Sequence, residues 1–530
     1  MKKKIGFICA VGLILISTSL NAQFFNEPTF KFGQLLNYLD RFYVDSVNEN
    51  KLTEDAIVEV LKQLDPHSSY LTAKEVKEMN EPLQGNFEGI GVTFNILNDT
   101  IFIIGTIPGG PSEKIGVMAG DKIIDIDGKN VAGIKITNEG VFSKLRGTKG
   151  TKVTISVLRR YVKGLIDFTI TRDKIPIFSI EASYMINSET GYIKLRRFAQ
   201  TTSKEFETAM DSLKSKNMKN LILDLTDNGG GYLNEAVDLA DQFLDNNKLI
   251  VYTKGLHMKK TEYHAEVPGL FEKGKLVVLI DEGSASASEI LAGAIQDWDR
   301  GIIIGRRSFG KGLVQNQYPL QDGSVLRLTI ARYYTPSGRL IQKPYDKGTD
   351  EYEKDLINRY KKGEYVHQDS IHFPDSLKFY TLMDKRTVYG GGGIMPDFFV
   401  PLDTTGYSDY YRDIIRQGIV NKFVLNYIDQ NRKIIKSNYP NIDTYVKNFN
   451  VEPVLTSLIA YAEKEGVKPN LQQINISKPI LSKLLKAYIA RDIWDSNEFY
   501  EIFNQDESII NKALDVIQNW DVRKKSMLKK

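Results

Sequence analysis

Between residues 180 and 345 the chain alternates short, wholly apolar runs with amphipathic stretches, a pattern few folds accommodate. Leu221-Ile222-Leu223-Asp224-Leu225, Leu276 to Asp281 and Ile302-Ile303-Ile304 read as strands buried on both faces. The first runs into Thr226 to Gly231, a loop with three consecutive glycines, and then into the amphipathic stretch Asn234 to Leu244. The second passes through the turn Glu282 to Ala285 into a helix expected from Ser286 to Trp298. On that helix Ala287, Ile290, Leu291, Ala294 and Ile295 share one face. Strands alternating with helices predict an α/β core with parallel pairs and right-handed crossovers.

The first segment reads differently. Lys2 to Lys4 precede an apolar run from Ile5 to Ile16, and Ser17-Thr18-Ser19-Leu20-Asn21-Ala22 follows. These are the three regions of a secretory signal peptide, residues 1–22, with cleavage expected after Ala22. An apolar helix of that length spans only ~18 Å against a hydrocarbon core of ~30 Å. An uncleaved, membrane-associated anchor is the alternative. Cys9 is the sole cysteine and leaves with the leader. The mature chain then has no disulfide and no cysteine-based zinc site, which suits the periplasm of a bacterium. A formal charge of +4 is too balanced to indicate nucleic-acid binding. A content of 42% hydrophobic and 26% charged residues excludes disorder and a polytopic membrane protein.

Residues 27–81 read as helical, with Phe32, Leu35, Leu36, Leu39 and Phe42 at helical spacing and a capping-box pattern at Thr72 to Glu75. From residue 82 to 172 the texture changes to short β runs with glycine turns. Gly89-Ile90-Gly91-Val92, Gly110-Pro111-Ser112-Glu113 and Ala119-Gly120-Asp121-Lys122 in that order resemble a circularly permuted bacterial PDZ domain. Backbone N–H groups held open by glycine can capture a C-terminal carboxylate, and the adjoining strand edge can accept an extended peptide. Residues 346–365 are charge-rich without an apolar period and read as a solvated insertion; Gly390 to Gly393 read as a hinge. From Tyr407 to Trp520 the chain is mostly helical and carries no chemical motif.

The chemistry gathers at Gly283-Ser284-Ala285-Ser286-Ala287-Ser288-Glu289, where an apolar strand opens into a helix. A serine there can present its hydroxyl at the positive end of a helix dipole, beside N–H groups able to stabilise an oxyanion. Ser286-x-x-Glu289 also fits a capping box, and spacing leaves cap and nucleophile equally open. A serine nucleophile needs a base. None of the five histidines lies in a triad-like motif, and both Gly-x-Ser-x-Gly and HExxH are absent. A buried, neutral lysine can serve instead, and Lys311 in Ser308-Phe309-Gly310-Lys311-Gly312 is the candidate. The same stretch matches a P-loop through its lysine. Gly312 replaces the required Ser or Thr, and the strand-like residues Leu313 to Pro319 follow in place of a helix.

Taken together, the leader, the PDZ-like segment, Gly-Ser-Ala-Ser-Ala-Ser-Glu and Ser-Phe-Gly-Lys-Gly-x-Val-Gln resemble the carboxyl-terminal processing peptidases, or tail-specific proteases, over residues 30–400. The resemblance implies an α/β multidomain fold: a crotonase-like protease core at 173–405, an inserted β-rich PDZ domain at 82–172, a helical N-terminal segment and a helical C-terminal extension at 406–530. It implies Ser286 as nucleophile, Lys311 as base and Gln315 as the residue orienting that base. It also implies oxyanion donors from the backbone of Ala287 and of Gly229 or Gly230, and a PDZ carboxylate loop of Gly89, Ile90, Gly91 and Val92. On a straight strand Lys311 and Gln315 stand ~13 Å apart, so the chain must turn near Gly312 for them to meet. The implied activity is a cofactor-free and metal-free serine endopeptidase acting on proteins with free, apolar C-termini. A catalytically inactive PDZ scaffold and a ligand-binding relative are the alternatives. The C-terminal region is left open as an oligomerisation or adaptor module.

Overall fold

The computed structural model describes residues 27–528, so the leader read at residues 1–22 lies outside them. Helices α1 (Glu27–Phe42) and α2 (Glu49–Lys62) come first, and α1 buries no side chain. A short strand, β1 (Ser69–Leu71), lies between the second and third helices of the stretch read as helical. The turn before it is knotted by Asp65, whose carboxylate accepts from the backbones of His67 and Ser68 and from the Ser68 hydroxyl. Helix α3 (Ala73–Gln84) starts on the expected box, with Thr72 and Glu75 capping each other.

The β-rich unit comprises β2 (Asn86–Gly89), β3 (Val92–Leu97), β4 (Thr100–Thr106), α4 (Pro111–Lys114), β5 (Lys122–Ile126), β6 (Lys129–Asn130), α5 (Asn138–Leu145), β7 (Lys152–Leu158), β8 (Leu165–Thr171) and β9 (Asp173–Pro176). Strands β3-β4-β5-β7-β8 form one sheet with β3 at its edge. Along β7, Val153, Ile155 and Val157 alternate inward, the period of two that the sequence shows. They meet Ile101, Ile103, Ile123 and Ile170 in one core. Strands β2 and β9 pair antiparallel, so the chain enters and leaves this unit along a single two-stranded ribbon.

The α/β core follows: β10 (Ile180–Met185), β11 (Thr190–Leu195), α6 (Thr202–Ser215), β12 (Asn220–Asp224), α7 (Leu233–Asp241), β13 (Leu249–Lys254), β14 (Thr261–His264), β15 (Lys275–Ile280), α8 (Ala287–Asp297), β16 (Ile302–Gly305), β17 (Leu313–Pro319), β18 (Val325–Tyr334), α9 (Thr349–Glu353), α10 (Asp355–Lys361), β19 (Lys378–Tyr380), β20 (Thr387–Tyr389) and β21 (Phe398–Phe399). Its main sheet runs β10-β11-β12-β15-β16-β21, parallel from β11 onward. Helices α6, α7 and α8 cover one face through Phe206, Leu239, Ile290 and Leu291. A second sheet joins β1, β18, β13 and β14, with β17 as the hairpin partner of β18.

The C-terminal helices are α11 (Asp409–Arg416), α12 (Ile419–Asn438), α13 (Ile442–Asn448), α14 (Glu452–Lys464), α15 (Leu471–Ile493), α16 (Ser496–Phe503), α17 (Ser508–Gln518) and α18 (Trp520–Met527). Most build a core of their own around Phe423, Leu458 and Leu485. Helix α17 instead covers the other face of the main sheet, laying Ile510, Ala513 and Val516 on Tyr192, Ile222, Val277 and Leu279. Among the described residues, no helix is long and apolar enough to cross a membrane.

Two expectations need correcting. Residues 346–365 are more than a solvated insertion: most of them are exposed, but they fold as α9 and α10 and bury Tyr352 and Arg359. Their apolar contacts are too sparse for a period, and a buried arginine reads as surface in a sequence. Gly390 to Gly393 are not a free hinge. A Cβ on Gly393 would stand 2.6 Å from the Ser308 oxygen, so glycine is needed there for close packing.

Candidate active site

Buried strand β15 ends at Ile280, and the chain turns through residues 281–286 before α8 begins. Ser286 has φ 57° and ψ −111°, a conformation that costs a non-glycine residue about 1–3 kcal/mol. Its cap on α8 is built by the main chain. The Ser286 carbonyl accepts from the N–H groups of Glu289 and Ile290, its N–H donates to Glu289 Oε2 at 2.9 Å, and the hydroxyl makes no cap hydrogen bond. The neighbouring serines do other work. Ser284 donates to the Leu225 carbonyl and Ser288 to the Asn228 carbonyl, which ties the turn to the glycine loop.

Glu289 and Tyr333 lock the Ser286 turn to the Lys311 loop. Glu289 is wholly buried. Its carboxylate accepts from the N–H of Ser286, the N–H of Lys311 at 2.8 Å, the N–H of Gly310 at 2.7 Å and the Ser308 hydroxyl. Burial pushes its pKa up and these four donors pull the other way. The Tyr333 hydroxyl reaches the carbonyls of both Ser286 and Lys311. A third support comes from the supposed insertion: Arg359 donates to the Ser308 and Phe309 carbonyls at 2.8 and 3.1 Å.

The Lys311 amine is largely withdrawn from water inside the cavity it lines. Burial brings its pKa down to about 8, and the nearby Arg327 guanidinium adds to the push, against Glu289 and Asp65. At pH 7 that leaves roughly a tenth of the amine neutral, against well under a thousandth for an ordinary lysine. His67 stands close by, its own pKa lowered to about 4 first by burial and then by the Lys311 charge, with its Nε2 2.8 Å from the Tyr352 hydroxyl.

Ser286, Ala287, Lys311, Gln315, Gly229 and Gly230 line one cavity of about 350 Å³, together with Met79 and Leu83 of α3. Gln315 stands on β17 opposite a β-bulge of β18, where Ile330 is the unpaired extra residue. Among the described residues its amide is bonded not to Lys311 but to Thr329 Oγ1 at 3.3 Å, and Thr329 in turn donates to Asp65. Of the two glycines expected as oxyanion donors, Gly230 has its N–H taken by Asn228 Oδ1 at 2.9 Å, which leaves Gly229 as the candidate. Gly230 has a different part. Its φ is +98°, and a Cβ there would stand 2.8 Å from the Ser286 Cβ and 3.0 Å from the Ala287 nitrogen. Gly230→Ala therefore displaces the serine, and steady-state kinetics should show kcat down about a hundredfold with the fold retained by circular dichroism.

In the β-rich unit, Gly89 ends β2 and Val92 starts β3, with the buried Ile90 and the positive-φ Gly91 between them. The Ile90 carbonyl accepts from the Ser112 N–H and hydroxyl. Across the open edge of β3 stands α5, whose Phe142 meets Phe94 at 5.5 Å.

Comparison with known proteins fits this architecture. Residues 189–350 match Peptidase family S41 and residues 78–158 match the PDZ domain; residues 410–495 match a family of unknown function, DUF8443. The chain is 38% identical over 345 residues to a carboxy-terminal-processing protease of Bartonella bacilliformis, covering 64% of this chain and 78% of that one. It is 36% identical over 343 residues to the carboxy-terminal processing protease CtpA of Bacillus subtilis, covering 64% and 72%. Among solved structures, the photosystem II D1 C-terminal processing protease is 28% identical, covers 59% of this chain and 90% of its own, and superposes with a TM-score of 0.34.

The class is therefore a serine-type peptidase whose core carries a PDZ domain. This chain belongs to Peptidase family S41, among the carboxy-terminal-processing proteases.

Proposed function

We propose that this protease works as an exported endopeptidase, with Ser286 as nucleophile and Lys311 as its general base. One observation carries the reading: a strained serine at the start of a buried helix shares a cavity with a lysine whose amine is held near pH 8. The neutral amine takes the serine proton as the hydroxyl attacks the scissile carbonyl. The oxyanion is met by the Ala287 and Gly229 N–H groups, beside the positive end of α8. The lysine then returns the proton to the leaving amine, and water resolves the acyl-enzyme. Gln315, its amide nitrogen held by Thr329, offers its oxygen to steady the lysine amine.

The PDZ unit, taken as residues 82–172, receives a substrate's free C-terminus on the loop Gly89 to Val92 and adds the peptide to the edge of β3. Residues 173–405 form the protease core and residues 406–530 the helical extension. The leader at residues 1–22 directs export to the periplasm of a bacterium.

Two otherwise identical unfolded proteins, one ending in apolar residues and one in charged residues, test this when products are read by mass spectrometry. Burying one apolar terminal side chain favours the first by about tenfold in rate. Equal rates remove the PDZ role; cleavage of neither removes the endopeptidase.

A further inference from the structure

The cavity holds a second cation that peptide hydrolysis, as described, leaves unused. Arg327 lies on β18 two residues before Thr329, and the two pair with Gln317 and Gln315 of β17, which places all four on one face of the hairpin. It lines the cavity beside Ser286, Lys311 and Gln315. Its Nε is buried without a hydrogen-bond partner, and its Nη1 reaches only the Met79 sulfur at 3.4 Å, a weak acceptor. Among the described residues it makes no ion pair. Asp65 is the carboxylate whose charge it feels, but Asp65 already accepts from His67, Ser68 and Thr329. Arg327 is half-buried, and a guanidinium partly withdrawn from water without an anion gains from a carboxylate, whose geometry its planar fork matches.

We propose that Arg327 is a specificity-determining subsite for a carboxylate of the substrate, bound inside the catalytic cavity beside the scissile bond. The proposal rests on the Ser286–Lys311 reading above. The carboxylate has two sources in a peptide: an Asp or Glu side chain next to the cut, or the α-carboxylate of a chain ending shortly after it. Either one pairs with the guanidinium through charge-assisted hydrogen bonds.

There is a consequence for Lys311. The charged groups acting on its amine are Arg327 on one side of the balance and Glu289 and Asp65 on the other; His67, its pKa lowered to about 4, is uncharged there. A docked carboxylate cancels the guanidinium's push, so the amine keeps its proton to higher pH in the complex. The free enzyme is unchanged.

The test uses the full chain and paired peptides with Glu or Gln at successive positions on either side of the cut. A second set carries a free or an amidated C-terminus shortly past the cut. At one position the Glu peptide should exceed its Gln twin by about tenfold in kcat/KM, the worth of one charge-assisted hydrogen bond. Its kcat should also level off at higher pH than the twin's, while kcat/KM for both follows one profile. Preference confined to the free-acid set assigns the α-carboxylate as the source. Arg327→Gln should bring the ratio to about one, and Arg327→Lys should keep part of it. The wild-type ratio decides even if a variant fails to fold. Equal cleavage of every pair by a Ser286-dependent enzyme overturns the subsite alone; no Ser286-dependent cleavage of any peptide overturns the peptidase reading with it.

Discussion

Ser286→Ala lowers kcat/KM on every cleaved peptide by about 10⁴-fold or more, the scale of losing a nucleophile in a serine peptidase. The fold does not change with it, because the α8 cap runs through the Ser286 main chain and the Glu289 carboxylate, and alanine keeps both. Substrate binding survives for the same reason. Kinetics paired with a urea titration separates the two readings the sequence left open. A serine that only caps its helix gives about 1 kcal/mol of lost stability and nearly full turnover. A nucleophile gives the reverse.

Lys311→Met and Lys311→Arg both remove cleavage to a similar depth, about 10⁴-fold in kcat. The arginine variant is the sharper of the two. It keeps a positive charge in the cavity but cannot give up its proton at any working pH, so it fails as a base. Were the lysine needed only as a charge to hold the oxyanion, arginine would retain much of the rate. In the wild type the sign of the pH effect follows from the depressed pKa. The active form is the deprotonated amine, so kcat/KM climbs tenfold per pH unit at low pH and levels off above about 8.

The proposed pair could be singled out in the sequence because each residue sits in its own local signal, although spacing left Ser286 open between cap and nucleophile and the roles came from the family resemblance. Ser286 follows an apolar strand and opens a helix, and Lys311 stands between glycines after another strand. The groups that bring the pair together were not legible. Glu289 spelled a capping box, and the pattern gave no sign that its carboxylate would also collect Gly310, Lys311 and Ser308. Tyr333 and Arg327 line the cavity, and Thr329 holds Gln315, only because β18 pairs with β17 across a bulge, a fact of register rather than of composition. Asp65 arrives from the N-terminal segment through β1, whose three residues are too few for a strand signal. Helices α9 and α10 read as solvated because the side chain they spend on the site is a buried arginine, a residue type that is seldom buried. The β-rich unit was readable through its alternation and its glycine turns. The role of α17 was not, since the other face of a parallel sheet can be covered by any apolar helix.

The central claim is a neutral lysine within reach of the serine hydroxyl. It is tested most directly by the rate at which an organophosphonate labels Ser286, followed from about pH 5 to about pH 10. The account predicts a rate that rises with pH, bends near the value of about 8 held by the Lys311 amine, and vanishes in Lys311→Met. Labelling that persists without Lys311, or a rate that still climbs without a bend up to about pH 10, as the ordinary lysine value of 10.5 would give, contradicts it.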